Sequence, residues 1–246
     1  MKLTTLPSLK ALWQWPEGLI WKWTETLTYR SRRKKYDLFL KEMKPKPADT
    51  ILDVGITSHG YRYSNFLEHW YPHKHQITAL TNEREKEFDE FRRVFPQVQL
   101  VFCDALHMEF DDDRFDIVFS NAVIEHVGCE ENQRRFVSEL IRVGRKVFIT
   151  TPNYWFPVDP HTLIPFAHYL QLPARFSIYR ALGRSYWADL DHLNLLTMKR
   201  FISIFPDGIH VRFLRQRLLG FPNALIAVAE KHRSANVDCS PELVQK

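Results

Sequence analysis

Ile51-Leu-Asp-Val-Gly-Ile-Thr-Ser-His-Gly60 is the stretch on which the reading of this chain turns. Ile51, Leu52 and Val54 are strand-type residues around an acid, Asp53. Gly55 ends the run at the point where a chain leaves a buried parallel strand. Glycine suits that exit because a ligand approaches the backbone closely there and φ can turn positive. A standard nucleotide-binding turn carries two more glycines in quick succession. Here Ile56, Thr57, Ser58 and His59 stand in those places, and the next glycine is Gly60.

Moving outward, Gln76–Thr81, Val98–Cys103, Phe115–Ser120 and Val147–Thr151 read as further strands. Helical patterns separate them. One runs from Tyr29 to Met43 and is ended by Pro45 and Pro47. A short one holds Phe66 and Leu67, and Glu83–Val94 carries Phe88, Phe91 and Val94 at helical spacing. Glu130–Val143 has Phe136, Val137, Leu140 and Ile141 on its apolar side, with acids first and basic residues last, as a helix dipole prefers. Strands alternating with such helices predict βαβ units and a parallel sheet. After Pro152 the pattern changes to scattered prolines and aromatics, predicted to form a helical cap inserted over about 152–195. Insertions of that length tend to be functional. A helix over Thr197–Ile204 follows. Ile209–Leu214 and Ala224–Ala229 are then joined by a short connection suited to an antiparallel hairpin.

Composition sets the bounds. The chain has 246 residues, 45% of them hydrophobic, enough for one sizeable core. Cys103, Cys129 and Cys239 are widely spaced and form no CxxC pair, which supports neither a disulfide framework nor a zinc ribbon and suits a reducing compartment. No apolar run of about 18 residues is present, so no membrane span is expected. No signal-peptide core is seen either, because Trp13, Trp15, Pro16 and Glu17 interrupt the N-terminal stretch. The expected location is cytoplasmic. The net charge is +5, part of it from Arg30, Arg32, Arg33, Lys34 and Lys35. That run reads either as a phosphate-facing patch or as a solvated helix face. Trp13, Trp15, Trp21 and Trp23 suit a packed N-terminal extension first. A lid, or a membrane-surface contact of residues 1–35 at the inner membrane face, fits them as well. The expected organisation is a tryptophan-rich basic extension over 1–34, one domain over 35–230 and a flexible tail over 231–246.

The right-handed crossover rule brings the carboxyl ends of the parallel strands to one edge, where ligands bind. Asp53–Gly55, Thr81–Asn82, Asp104–Ala105, Ser120–Asn121 and Thr151–Asn153 are therefore expected to converge. A nucleoside there needs an acceptor for an exocyclic amine, which Asp104 supplies after strand three. It also needs polar groups for its ribose after strand two, where Thr81, Asn82 and Glu83 stand.

These residues carry a resemblance. Ile51-Leu-Asp-Val-Gly55, Cys103-Asp-Ala105, Phe115-Asp-Ile-Val-Phe-Ser-Asn-Ala-Val-Ile-Glu-His-Val127 and Phe148-Ile-Thr-Thr-Pro-Asn153 resemble a class I S-adenosylmethionine-dependent methyltransferase of the small-molecule type. The resemblance covers about residues 35–230. It implies an α/β fold: a Rossmann-like, seven-stranded, mostly parallel sheet with helices on both faces, an antiparallel last strand and a helical cap after strand five. It implies S-adenosylmethionine as cofactor. Asp53, Gly55 and Thr57 would line its methionine part, Thr81 and Asn82 its ribose, Asp104 and Ala105 its adenine, and Ser120 and Asn121 its sulfonium.

Methyl transfer from a sulfonium is an in-line displacement to which alignment contributes roughly 7–11 kcal/mol. A hydroxyl or amine acceptor also needs a base, and His126 and His161 are the candidate catalytic residues. Asn153, Trp155 and Tyr169 are the candidate acceptor contacts. His73 and His75 lack acid or cysteine partners, so no metal site is expected. The expected function is methyl transfer to a small-molecule or cell-envelope-related acceptor. The alternative is a non-catalytic binding protein of the same fold with a degraded cofactor site. An RNA substrate is not expected, because no RNA-binding module is recognisable.

Overall fold

A computed structural model of the chain describes residues 19–58 and 64–231, with side chains described from Glu25 onward in the first helix. Helix α1 (Leu19–Met43) leads into β1 (Ile51–Val54), α2 (Phe66–Trp70), β2 (Ile77–Thr81), α3 (Asp89–Val94) and β3 (Gln99–Phe102). Next come β4 (Phe115–Asn121), α4 (Glu130–Val143), β5 (Gly144–Pro152), α5 (Leu172–Ala181), α6 (Met198–Ser203), β6 (His210–Leu218) and β7 (Phe221–Glu230). The seven strands form one sheet in the order β3-β2-β1-β4-β5-β7-β6. β1 pairs in parallel with both β2 and β4, whereas β7 runs antiparallel to β5 and β6. Strand order reverses between β1 and β4, which is where a ligand crevice opens in such sheets.

Residues alternate between the two faces of the sheet, and each face has its own apolar layer. Leu52, Val54, Leu80 and Val118 pack against Phe136, Val137 and Leu140 of α4 and Phe201 of α6. Ile51, Ile77, Ala79, Ile117 and Phe119 face the other way, onto Tyr36, Phe39 and Met43 of α1 and Phe66 of α2. Phe39 meets Phe119 edge-on at 5.2 Å and Phe148 at 5.6 Å between ring centroids. Each fully buried ring of this kind contributes about 1.5–3 kcal/mol relative to exposure, so this cluster anchors α1 to the middle of the sheet. Asp53 lies on that same face, at the level of α1 and α2.

The expected seven strands, parallel core and closing antiparallel hairpin all appear. Element ends differ. The first helix begins at Leu19, ahead of the expected Tyr29. It runs unbroken through positions 34 and 35, where the extension was expected to meet the domain. Gln216 and Asn223 on the last two strands donate to Ser31 Oγ at 2.8 and 3.1 Å, so this stretch of α1 is bonded into the sheet. The helix expected over Glu83–Val94 is a single-turn helix at Glu85–Glu87 followed by α3. Glu83 is held out of it because its carboxylate accepts from Ser58 and its backbone N–H donates to Thr81 Oγ1. Phe88 and Phe91 are buried as expected, but Val94 is exposed and Phe95 is buried in its place.

The cap leaves β5 and returns where Asn153 bridges Leu196 in parallel. It contains α5 and has a small core of its own, formed by Ile164, Ala167, Tyr179 and Ala188. No described helix is long and apolar enough to cross a membrane. Trp13, Trp15, Gly60, Cys239 and the tail expected over 231–246 lie outside the described residues, apart from Lys231, and so do the side chains of Trp21 and Trp23.

Candidate active site

The turn after β1 requires glycine. Gly55 has φ +95°, and a Cβ placed on it would stand 2.1 Å from Val123 Cγ2. Its N–H donates to the Leu80 carbonyl at 2.8 Å, so the turn hangs from the end of β2. Val123 is brought there by a second tight turn after β4, in which Ala122 takes φ +59° and donates to the Thr150 carbonyl at 2.8 Å. Between the two turns lies a small cleft lined by Asp53, Gly55, Ile56, Ser64, Asn65, Phe66, Phe119 and Asn121, with about 20 Å³ of water-accessible volume.

Side chains replace the absent glycines in shaping the loop. Asn65 clamps Thr57 from both sides, accepting from its N–H at 3.2 Å and donating to its carbonyl at 3.0 Å. Glu83 Oε2 accepts from the Ser58 N–H at 3.1 Å and from Ser58 Oγ at 2.5 Å. Glu83, one of the polar groups expected to serve a ribose after β2, is thus turned toward the first loop.

The cleft has two poles of charge. At one, the buried carboxyl groups of Asp53 and Glu68 face each other. Burial, and then the charge of Glu68, push Asp53 well above the usual carboxylate range. Burial likewise pushes Glu68 up to about 7, against the opposing pull of Asp53 and Lys74. At the other pole, Lys35 enters from α1 and donates to Asn121 Oδ1 at 2.8 Å, an atom that also accepts from Thr150 Oγ1 at 2.8 Å. Burial lowers Lys35 to about 8, against the opposing pull of Glu125.

Beyond Lys35 is a histidine cluster. Glu125, fully buried, accepts from Thr151 Oγ1 at 3.0 Å. His126 and His161 meet at 3.1 Å through their Nε2 atoms. His161 Nδ1 lies 2.8 Å from Asp159 Oδ1, and Asp159 is itself buried and accepts from the Thr162 N–H and hydroxyl at 2.9 and 2.8 Å. Burial lowers His126. Burial acts on His161 in the same sense, but Asp159 and Glu125 outweigh it and leave His161 raised. Trp187 packs on both imidazoles, at 5.7 and 5.1 Å between centroids. Glu125, His126 and His161 have the atoms and spacing to hold a metal ion.

The expected residues divide into groups. Asp53, Gly55 and Asn121 line the cleft, and Thr57 is at its rim through Asn65. Ser120 is buried and spends its hydroxyl on the Val54 carbonyl at 3.2 Å, tying β4 to β1. Thr81 is buried, while Asn82 and Asp104 are exposed at the same edge. Asp104 Oδ1 accepts from the Leu106 N–H at 2.9 Å and so shapes the turn holding Ala105. His126 and His161 come together. Asn153 uses its amide on the backbone of Pro222 and Trp155. Trp155 is exposed and stacks with Tyr169 at 5.7 Å in a separate aromatic group.

Lys35, Glu68, Asn65 and Asp159 were missed from the sequence. For Lys35 a signal existed: it precedes Tyr36 and lies one turn before Phe39, on the buried side of a helix otherwise read as a charged run. For Asp159 the signal was Asp-Pro-His, a spacing that lets the carboxylate reach the imidazole two residues on.

The strand order with its reversed β7, and the crevice between β1 and β4, are those of a Rossmann-like methyltransferase fold. Residues 52–147 match the family model of a methyltransferase domain. The chain is 31% identical over 125 residues to phosphoethanolamine N-methyltransferase 2 of Caenorhabditis elegans, a match covering 47% of this chain and 27% of that protein. It is 32% identical over 97 residues to the uncharacterized protein Rv1509 of Mycobacterium tuberculosis, covering 37% of this chain and 33% of that protein. The chain thus spans about a third or less of the length of these curated relatives. Among solved structures, the 1,6-didemethyltoxoflavin-N1-methyltransferase of Burkholderia thailandensis superposes with a TM-score of 0.52 at 14% identity, covering 82% of this chain and 79% of that one.

Proposed function

We propose that this chain transfers a methyl group from S-adenosylmethionine to a small-molecule acceptor, cell-envelope compounds included. The observation that carries the reading is the cleft between the β1 and β4 turns. There the backbone of Gly55 is bare because Val123 leaves no room for a Cβ, and the whole cleft except Lys35 lies within the segment that matches the methyltransferase domain.

The cleft fits such a cofactor chemically. Asp53 and Glu68 are buried carboxyl groups that face each other, suited to a cationic amino group. Gly55 and the Thr57–Asn65 clamp would support the methionine part, Asn82 and Glu83 the ribose, and Asp104 and Ala105 the adenine. The cofactor would supply an activated methyl group carrying positive charge. Asn121, fixed by Lys35 and Thr150, would set the edge of the site nearest the acceptor.

The chain's own work is alignment, exclusion of water and proton removal. Asp159 orients His161 and keeps Nε2 as its basic atom, and Trp187 covers both imidazoles. An acceptor seated against Trp187 would give its proton to one of the two Nε2 atoms. The non-catalytic alternative is less well supported, because Gly55, Asp53 and Asn121 still frame one cleft.

Calorimetric titration with S-adenosylhomocysteine tests the proposal. One-to-one binding is expected. Folded protein that releases no heat, and transfers no labelled methyl group to a panel of hydroxyl and amine acceptors, would overturn it.

A further inference from the structure

Three electron-pair donors face one another at the acceptor end of the site with no proton assigned between them. His126 Nε2 and His161 Nε2 are 3.1 Å apart, and Glu125 Oε1 is 4.0 Å from the first and 3.9 Å from the second. The other nitrogen of each imidazole is committed. His126 Nδ1 is 2.7 Å from the carbonyl oxygen of His192, which can only accept, so Nδ1 bears the hydrogen. His161 Nδ1 is 2.8 Å from Asp159 Oδ1. Asp159 Oδ2 accepts from the Thr162 N–H and hydroxyl at 2.9 and 2.8 Å, and Oδ1 accepts from His161. Both neutral rings therefore turn their Nε2 lone pairs inward. Glu125 Oε1 is buried and has no hydrogen-bond partner among the described residues. This arrangement is repulsive unless a shared proton or a metal cation lies between the three atoms.

We propose that Glu125, His126 and His161 form a binding site for a divalent first-row transition ion of the Zn²⁺ or Mn²⁺ kind. Two nitrogens about 2.0–2.1 Å from a common ion stand roughly 3.0–3.4 Å apart, so the observed imidazole pair is already at ligand spacing. The carboxylate closes the triangle with a movement of a few tenths of an ångström. Two imidazoles and one carboxylate suit Zn²⁺, Mn²⁺ or Fe²⁺, whereas Mg²⁺ and Ca²⁺ favour all-oxygen sites. The outer partners are those that metal sites use: one ring N–H is held by a carboxylate and the other by a backbone carbonyl. The side chains of His126 and His161 remain 29% and 15% exposed, which leaves coordination positions open toward Trp187.

Lys35 is the competing cation. Its charge bears on both Glu125 and His161. An ion at the cluster would favour the neutral amine, and a charged Lys35 would weaken the ion. On the reading that this is a methyltransferase, an ion bound by both Nε2 atoms would take the place of the histidine base: the open positions would hold an acceptor oxygen or nitrogen next to Asn121 and make its proton more acidic.

The test is direct on the full chain, stripped with a chelator and dialysed. Co²⁺ is added as a spectroscopic probe, and Zn²⁺, Mn²⁺ and Mg²⁺ are titrated by calorimetry. Expected are visible d–d absorption from one Co²⁺ per chain, displaced by Zn²⁺, and Mg²⁺ binding at least 100-fold weaker than Zn²⁺. The signal should persist in His73→Ala/His75→Ala, fall at least 10-fold in affinity in Glu125→Gln and vanish in His126→Ala/His161→Ala. Lys35→Met should tighten binding several-fold, which a purely structural cluster would not show. Folded wild-type chain that binds no Co²⁺ or Zn²⁺, with an imidazolium at His161 seen by NMR at neutral pH, would overturn the proposal in favour of a shared proton. S-adenosylhomocysteine is titrated in parallel. Metal binding without it would count against the methyltransferase reading and leave the metal site standing.

Discussion

Gly55 and Val123 occupy one space: a Cβ on Gly55 would lie 2.1 Å from Val123 Cγ2. The contact joins the turn after β1 to the turn after β4, the two turns that bound the cleft. It explains why this one glycine is kept in a loop otherwise poor in them.

Gly55→Ala is expected to destabilise the fold by two routes. Overpacking against Val123 costs about 1–3 kcal/mol. The left-handed backbone at φ +95° costs about 1–2 kcal/mol more for a residue with a Cβ. In Gly55→Ala/Val123→Ala the first cost should largely disappear while the second remains. Urea unfolding of the two variants separates them; equal midpoints would show that the contact is irrelevant.

Glu68 makes stability depend on pH. Its carboxyl group is raised by burial from 4.5 to about 7, so between those values the folded state holds a proton that the unfolded chain has released. Stability is therefore full below about pH 4 and declines as the pH rises through 7. The effect is on the order of 3 kcal/mol at 1.36 kcal/mol per unit. Thermal unfolding between pH 5 and 8 should show the decline, and Glu68→Gln should flatten it. A parallel decline in both proteins would place the proton elsewhere.

The same pair should govern cofactor affinity. A ligand bearing an ammonium group prefers ionised Asp53 and Glu68, so S-adenosylhomocysteine should bind more tightly as pH rises from 6 to 8. The slope should shrink in Glu68→Gln. A pH-independent dissociation constant in the wild type would remove these carboxyl groups from the binding site.

Glu83→Ala releases Ser58 from its carboxylate clamp. Hydrogen bonds to a charged acceptor contribute about 1.5–3 kcal/mol, part of which the ordered loop transmits to the ligand. S-adenosylhomocysteine should bind roughly 10-fold more weakly, with global stability nearly unchanged, since 1.4 kcal/mol corresponds to that factor. Unchanged affinity would mean the clamp serves the loop alone.

Asp104→Ala should also weaken binding about 10-fold, through loss of the adenine acceptor, at a stability cost of about 1 kcal/mol for the turn bond to Leu106. Asp104→Asn retains an acceptor oxygen and should keep most of both. If Asp104→Asn and Asp104→Ala bound the ligand as tightly as the wild type, the adenine assignment would fall.

Much of the fold was legible because buried parallel strands are local apolar runs. Ile51–Val54 and Phe115–Asn121 announce themselves by composition, and α4 by its apolar stripe. The candidate site was legible to the extent that strand ends must share an edge, and Asp53, Gly55 and Asn121 do line one cleft. For Lys35 the spacing to Tyr36 and Phe39 was the one signal, and it was masked by the basic run; the packing of Tyr36 and Phe39 against the sheet decides that this face of α1 turns inward. Glu83 read as the start of a helix, because nothing local indicates that Ser58, 25 positions earlier, takes its carboxylate.

By itself the sequence determined the order of strands and helices, the glycine at the first turn and the chemistry on offer at each strand end. Those properties depend on neighbours along the chain: periodicity, turn residues and the side chain at a given position. Tertiary structure alone decided which groups meet. His126 and His161 are 35 positions apart, Lys35 and Asn121 are 86 apart, and each pair is in contact only because β4, β5 and α1 pack together. Their pKa values and pairing are set by burial and by through-space charge, which the order of residues along the chain does not encode locally.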